Sequence, residues 1–394
     1  MRVRNQYSDY IDNYKIEHGI DPYVLYKDPS TTEEMKKDLE DWLYNIIWEK
    51  GEVPQQEWND QTIFKSIQLL SNTDSHSVFR EEEGSYGYSA VGVDVLNHFF
   101  PELLDVHKPN AKRSIRESFH NEHDLRRIVK KNLAYDNSER GLFRWSLMIG
   151  SGYCTNFRPA TAKAIYEIWG RSENCRVFDS SAGYGARMTG CHFANNTIEY
   201  LGIDPNTKEH CDDVIAYLDE HFDTGTKKQV LKMGSEDFTI KNYPEYKEYF
   251  DIAGTSPPYF NTEQYSDAPT QSYKKFPTYK GWIDGFYRQT LYNNCDVLKK
   301  DGIFWINIFE KIPKIKDITK MFLADRGWYV FSTQKYLMHS IPGKAEDENG
   351  NPISKNTLQA NFEPIWMAKH YTQLLKEGLI TEEQAKQYEE RVVH

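Results

Sequence analysis

Met35, Leu39, Trp42, Leu43, Ile46 and Ile47 recur at three- and four-residue spacing within STTEEMKKDLEDWLYNIIWEKGE, which lines one face of an α-helix. A capping box from Ser30 to Glu33 opens this helix and Gly51 closes it. DQTIFKSIQLLSN reads as a second helix, while EEEGSYGYSAVGVDVLNHFFPE mixes glycine and aromatics without a readable period. From about Asn156 the rhythm changes. FRPATAKAIYEIW, with Pro159 in its first turn, reads as a helix, RVFDSS as a strand, GARMTGCHFA as a helix and IEYLGID as a strand. TKEHCDDVIAYLDEHF (helix), KQVLKM (strand), YFDIAGTS (strand), YKGWIDGFYRQTLYNNCDVLKK (long helix), GIFWINIF (strand) and KIKDITKMFLADRG (helix) continue the alternation. WYVFSTQKYLM and NFEPIWMAKH are the last two strands, joined across the polar stretch Pro342–Asn356 as an antiparallel hairpin. Alternating strands and helices predict a parallel sheet covered on both faces. The expected organisation is a mainly helical region over 1–150, an α/β domain over 151–370 and a short helical tail over 371–394.

Composition narrows the function classes. The 394 residues carry a net charge of −11, which argues against a protein that coats nucleic acid without specificity. One stretch opposes that background. Lys108, Lys112, Arg113, Arg116, Arg126, Arg127, Lys130 and Lys131 crowd the region after His107, and such a run reads as a solvated helix face or as a phosphate-contacting surface. His120 and His123 lie within it, but no third ligand is spaced to complete a metal site, so no metal is expected. The 5 cysteines form no C-x-x-C pair, which suits free thiols in a reducing cytosol. No apolar run approaches membrane-spanning length, so a soluble, cytoplasmic protein is expected.

The strongest chemical signals sit at strand ends. VFDSSAGYGARMTG puts Asp179 at the end of a strand, then Gly183 and Gly185 before a helix, a turn that lets a ligand approach the backbone. The next strand ends in GIDPN, with Asp204 lying 25 positions after Asp179, where an acid grips ribose hydroxyls. The glycines do not match the dinucleotide pattern, and Asp179 would repel a pyrophosphate but attract an ammonium. A ligand with a ribose at one end and an ammonium at the other is S-adenosylmethionine. After the third strand, GSEDF offers Glu236 or Asp237 as acceptor for its adenine amino group.

The fourth strand ends in Ser256-Pro257-Pro258-Tyr259, on the edge where open α/β sheets bind ligands. An exocyclic amino group attacking a sulfonium methyl needs acceptors that hold its N–H bonds and turn its lone pair. The Ser256 hydroxyl and the Pro257 carbonyl, fixed by restricted φ values, supply two, and Tyr259 offers a flat face for the base.

On these residues the chain resembles the amino-methyltransferases that act on DNA bases, most of all those encoded by large bacteriophages, over roughly Ser151 to His370. The resemblance implies a class I, Rossmann-like methyltransferase sheet of seven strands, S-adenosylmethionine as cofactor, DNA as partner and base flipping. It implies that Ser256, Pro257, Pro258 and Tyr259 hold and stack the target base. Asp179, Ser181, Ala182, Gly183 and Gly185 map onto the cofactor loop and Asp204 onto the ribose acid. Asn156, Phe157, Arg158 and Pro159 map onto the helix start that closes over the methionine end. The cofactor loop here begins Asp179-Ser180-Ser181, where the family often has Asp-Pro-Phe. Serine before the prolines is commoner in enzymes that make N4-methylcytosine, whereas the order of the two motifs is less usual for them, which leaves cytosine N4 slightly ahead of adenine N6. The segment after Tyr259, with Lys274 and Lys275, suits a loop that closes on DNA, and the basic stretch is the expected phosphate contact. RNA or a protein glutamine as substrate, and a catalytically silent DNA-binding protein, are the alternatives.

Overall fold

The computed structural model describes residues 6–54, 58–106, 111, 113–135, 142, 146, 151, 156–262, 264–308, 312, 314–337 and 362–393. The expected hairpin loop Pro342–Asn356, and Lys108 and Lys112 of the basic run, lie outside them. The chain forms two compact units. One comprises Met1–Ile63, Pro101–Thr155 and Asn261–Ala268; the other comprises Phe64–Phe100, Asn156–Phe260 and Pro269–His394. The N-terminal region is therefore divided, with Phe64–Phe100 going to the second unit, where the sequence suggested a single boundary near 150.

The first unit is helical. Helix Glu33–Lys50 turns Leu39, Leu43, Tyr44 and Ile47 inward, onto Leu125, Ile128, Val129 and Leu133 of helix Glu122–Tyr135. Its cap differs from the expected one. Thr32 accepts from the Met35 amide at 3.2 Å, while Ser30 turns back to the Asp28 carboxylate. Met35 is exposed, since it lies on the first turn beyond the buried stripe.

The second unit is built on a nine-stranded sheet. Its strands are β1 Phe79–Arg80, β2 Ser85–Tyr86, β3 Cys175–Asp179, β4 Thr197–Ile203, β5 Lys227–Leu231, β6 Phe250–Thr255, β7 Leu298–Asn307, β8 Trp328–Leu337 and β9 Phe362–His370. Their order is β1-β2-β8-β9-β7-β6-β3-β4-β5. The seven expected strands are present as β3 to β9, with β3, β4, β5, β6 and β7 parallel and β9 antiparallel to both β7 and β8. The count of seven is corrected to nine by β1 and β2. This small hairpin straddles the start of the glycine- and aromatic-rich stretch, and β2 pairs with β8 through Ser85↔Lys335 and Tyr86↔Tyr336. Two-residue strands are too short to show any alternation in sequence. The fold class is thus the α/β, Rossmann-like one that was expected.

The parallel strands are buried on both faces, so they read as apolar runs. All of β6 is buried, with Phe250, Ile252 and Ala253 fully enclosed. Opposite Gly254 of β6 lies Trp305 of β7, whose indole crosses the glycine so closely that a Cβ would come within 2.0 Å of Cε2. Phe178, Phe304, Ile306, Trp282, Tyr287 and Leu291 continue the core between the sheet and the helix that precedes β7. That helix is not continuous. It runs Tyr279–Trp282, widens to a π turn over Ile283–Tyr287, and resumes over Arg288–Val297. The strand order reverses between β3 and β6. Such a switch point is where open α/β sheets bind ligands, outside the carboxyl ends of the strands.

Candidate active site at the sheet switch point

The loop after β3 is organised from below. Asp179 is fully buried, and its carboxylate takes Arg187 Nε at 2.8 Å, Tyr200 Oη at 2.6 Å and the Ser181 amide at 3.0 Å. Arg187, 5% exposed, also reaches Asp179 Oδ1 and the Ser181 carbonyl. Burial works against the guanidinium charge, but the Asp179 carboxylate and the Tyr200 and Tyr166 hydroxyls beside it outweigh that and raise its pKa. Burial, with Asp179 adjacent, likewise raises the Tyr200 phenol well above its ordinary value. Asp179, expected to meet an ammonium, is placed within this ion-pair network at the base of the loop. Above it Gly183 and Gly185 take φ of 56° and 70°, a left-handed turn that favours glycine.

Asp204, at the end of β4, closes the loop from the far side. Its Oδ2 accepts from the Gly183 amide at 3.1 Å, and its Oδ1 from the Asn206 and Thr207 amides at 2.8 and 2.9 Å. Burial pushes its carboxyl up, and these backbone donors pull the other way. After β5, Glu236 is 8% exposed. Glu236 and Asp237 both meet Lys275 Nζ, at 2.7 and 2.8 Å. These residues, expected respectively as adenine acceptors and as a DNA contact, are therefore ion-paired to one another.

The turn after β6 lies directly beside the β3 loop. Ser181 Oγ accepts from the Ser256 amide at 3.2 Å and donates to the Ser256 carbonyl at 3.3 Å. The Ser256 hydroxyl donates to Asn307 Oδ1 at 3.3 Å, and Asn307 Nδ2 donates to the Pro364 carbonyl at 3.3 Å. Tyr259, 6% exposed, donates its hydroxyl to the Asn307 carbonyl at 2.5 Å. The Phe260 amide takes the Pro258 carbonyl at 3.2 Å; among the described residues no donor takes that of Pro257.

Asn156, Phe157, Arg158 and Pro159 enter helix Pro159–Trp169. Phe157 stacks on Tyr336 with ring centroids 4.9 Å apart and lies 5.4 Å from the Arg187 guanidinium. Asn156 Nδ2 donates to Asn97 Oδ1 at 2.8 Å. Arg158 donates through Nε to Tyr336 Oη at 2.9 Å, and through Nη2 to the Leu337 carbonyl. Its Nη1 is buried and has no hydrogen-bond partner among the described residues, and an anionic group such as a carboxylate is what would satisfy it. The donor on Arg158 could hold a carboxylate, and Asp204, bonded to the glycine turn, could hold a ribose.

In the basic stretch of the helical unit, Arg113, Arg116, Arg126, Arg127 and Lys130 are paired with acids, and Lys131 Nζ lies 5.9 Å from the Tyr135 ring centroid. Arg113 meets Asp124 at 2.6 Å, Arg116 meets Asp105 at 2.7 Å, and Arg126 meets Asp41 at 2.8 Å and Glu122 at 3.1 Å. Arg127 lies 3.9 Å from Asp124 and Lys130 3.9 Å from Glu40. Lys274 stands 6.0 Å over the Tyr273 ring. Among the described residues no helix is long and apolar enough to cross a membrane, and no His, Cys, Asp and Glu group could hold a metal.

Sequence reading missed Asn307, Arg187 and Tyr336. A signal existed for two of them. Asn307 is a polar residue ending an apolar run, like Asp179, Asp204 and Ser256. Arg187 is a cation in the first turn of a helix, against the macrodipole, which points to a nearby acid.

No family model and no curated protein matches the chain. Solved structures do. A TehB-like SAM-dependent methyltransferase from Corynebacterium glutamicum is similar at 10% identity and TM-score 0.33, over 59% of this chain and 97% of that one. A SAM-dependent methyltransferase from Methanosarcina mazei is similar at 12% identity and TM-score 0.30, over 50% and 93%. The branched-chain polyamine synthase from Thermus thermophilus, in complex with N4-aminopropylspermidine and 5'-methylthioadenosine, is similar at 8% identity and TM-score 0.35, over 54% and 55%. Likeness at this level concerns the fold alone.

Proposed function

We propose that the protein is a methyltransferase that uses S-adenosylmethionine to methylate the exocyclic amino group of a DNA base, N4 of cytosine slightly favoured over N6 of adenine. The observation that carries this reading is the pair of hydrogen bonds between Ser181 and Ser256, which sets the proposed cofactor loop beside the Ser-Pro-Pro-Tyr turn at the sheet's switch point. When bound, the cofactor supplies an electrophilic methyl on sulfur. The chain's own groups do the positioning. Asp204 offers its carboxylate to ribose hydroxyls, and Arg158 Nη1 offers a donor to the carboxylate end.

The amine is held by an oriented relay. Asn307 Nδ2 donates to the Pro364 carbonyl, so its Oδ1 faces Ser256 as an acceptor. Ser256 spends its only proton there, and its lone pairs remain for an amine N–H. The carbonyl of Pro257 takes the second N–H, which leaves the nitrogen lone pair to be aimed. The Tyr259 hydroxyl, tied to the end of β7, fixes its ring as the wall beside the base.

A second reading keeps this chemistry and changes the carrier of the amine to RNA, a protein glutamine or a small molecule. Its protein and small-molecule forms are favoured by the pairing of Arg113, Arg116, Arg126, Arg127 and Lys130 with acids of their own unit, which weakens their use as phosphate contacts. Incubation with S-adenosylmethionine and unmodified duplex DNA, then digestion to nucleosides and mass analysis, separates the two. N4-methylcytosine or N6-methyladenine is the expected product; a bound cofactor with no product on any DNA selects the second reading. Ser256→Ala is expected to lower kcat about 10²-fold with little change in cofactor affinity, and Asp204→Ala to do the reverse. Equal effects from both would undo the division of roles.

A further inference from the structure

After the helical unit's segment Asn261–Ala268, the chain re-enters the sheet unit at Pro269. The stretch 269–276 is pinned at each step. Thr270 Oγ1 donates to Asn206 Oδ1 at 2.7 Å, and the amide of that same Asn206 donates to Asp204. Ser272 is buried and accepts from Trp282 Nε1 at 3.2 Å. Phe276 sits on Gly285, where a Cβ would come within 2.3 Å of Cε1. Lys275 then spans Glu236 and Asp237. The stretch therefore runs from the loop after β4, which carries the proposed ribose acid, to the loop after β5, which carries the proposed adenine acceptor.

We infer that 269–276 is a strap over the adenosine end of the cofactor site, and that Lys275 is the positioning residue that fixes it there. The inference rests on the cofactor assignment proposed above. Lys275 brings the two carboxylates together by standing between them, and it engages Glu236 through Oε1, which leaves Oε2 for a donor on the ligand. The Glu236 side chain is 6% exposed and the Lys275 side chain 38%, so the acid is held under the strap while the lysine closes it from the solvent side. The strap also reassigns Lys275, which the sequence suggested as a phosphate contact.

The test is the dissociation constant for S-adenosylhomocysteine, measured calorimetrically on the full chain without nucleic acid. Lys275→Met is expected to weaken binding about tenfold, with kcat at saturating S-adenosylmethionine retained and KM for it raised. Lys275→Arg, which keeps the charge, is expected to recover most of the loss. Thr270→Val, at the other end of the strap, is expected to weaken binding in the same direction. Wild-type affinity in both Lys275→Met and Thr270→Val overturns the strap. Wild-type cofactor affinity in Lys275→Met with weakened, less salt-dependent DNA binding overturns it in favour of a phosphate contact. Failure of the unaltered protein to bind S-adenosylhomocysteine or S-adenosylmethionine removes the proposed function, and the strap with it.

Discussion

At the scale of the residue, the cofactor loop depends on one buried charge pair. Arg187 and Asp179 are enclosed together, and removing one leaves the other charged in a dry environment. Arg187→Met is expected to destabilise the protein by about 3–5 kcal/mol in urea unfolding. Adding Asp179→Asn should return part of that, giving a non-additive double-mutant cycle; strictly additive losses would mean that the pair is not coupled. The positions of Asp204 and Ser256 were legible because each directly follows a strand-like run, and Tyr259 because two prolines set it off from that strand. The partner of Asp179 was not, because Arg187 comes back to it only once the Gly183–Gly185 turn has formed. The basic run shows the opposite limit. Its charges are plain in the sequence, but Asp41 lies 85 residues from Arg126 along the chain, so that pairing is a tertiary fact.

At the scale of the element, β6 and β7 lock through shape. Gly254→Ala would drive a methyl into the Trp305 indole, and overpacking of this kind costs about 1–3 kcal/mol. The expected outcome is a fall of several degrees in Tm; an unchanged Tm would mean that the indole moves freely. Because this glycine lies just ahead of Ser256, the same variant is expected to disturb the Ser256–Asn307 contact and lower turnover. Long apolar strands such as β6 announced themselves, and so did helix Pro159–Trp169, with proline where its missing N–H is harmless. The elements that escaped are those whose signal is tertiary: β1 and β2, which exist because β8 offers a free edge, and the π turn over Ile283–Tyr287, where the packing of Phe276 on Gly285 adjoins a sequence that otherwise reads as ordinary helix.

For the whole molecule, two enclosed histidines set an acid limit. Burial lowers His192 to about 4 and His370 to about 3, against an ordinary value near 6.5. Both are neutral in the folded chain. His192 lies against the Phe222 carbonyl and the Thr224 hydroxyl, and His370 against the Thr372 amide and hydroxyl. The unfolded chain binds their protons first as pH falls. Their contribution is complete above about pH 6.5 and declines as pH falls from there toward 4, by up to about 1 kcal/mol per pH unit for each. Urea midpoints at pH 7 and pH 5 should differ accordingly, and His192→Gln should flatten the slope; an equal slope in that variant would place the acid sensitivity elsewhere. The division into units was the least legible feature, because it follows no change in composition. It has a consequence for the order of synthesis. The helical unit takes its third piece, Asn261–Ala268, from beyond β6, so a ribosome must deliver four of the parallel strands before that unit holds all its parts. In N-terminal-first synthesis the helices of that unit therefore emerge well ahead of its third piece, which follows Tyr259.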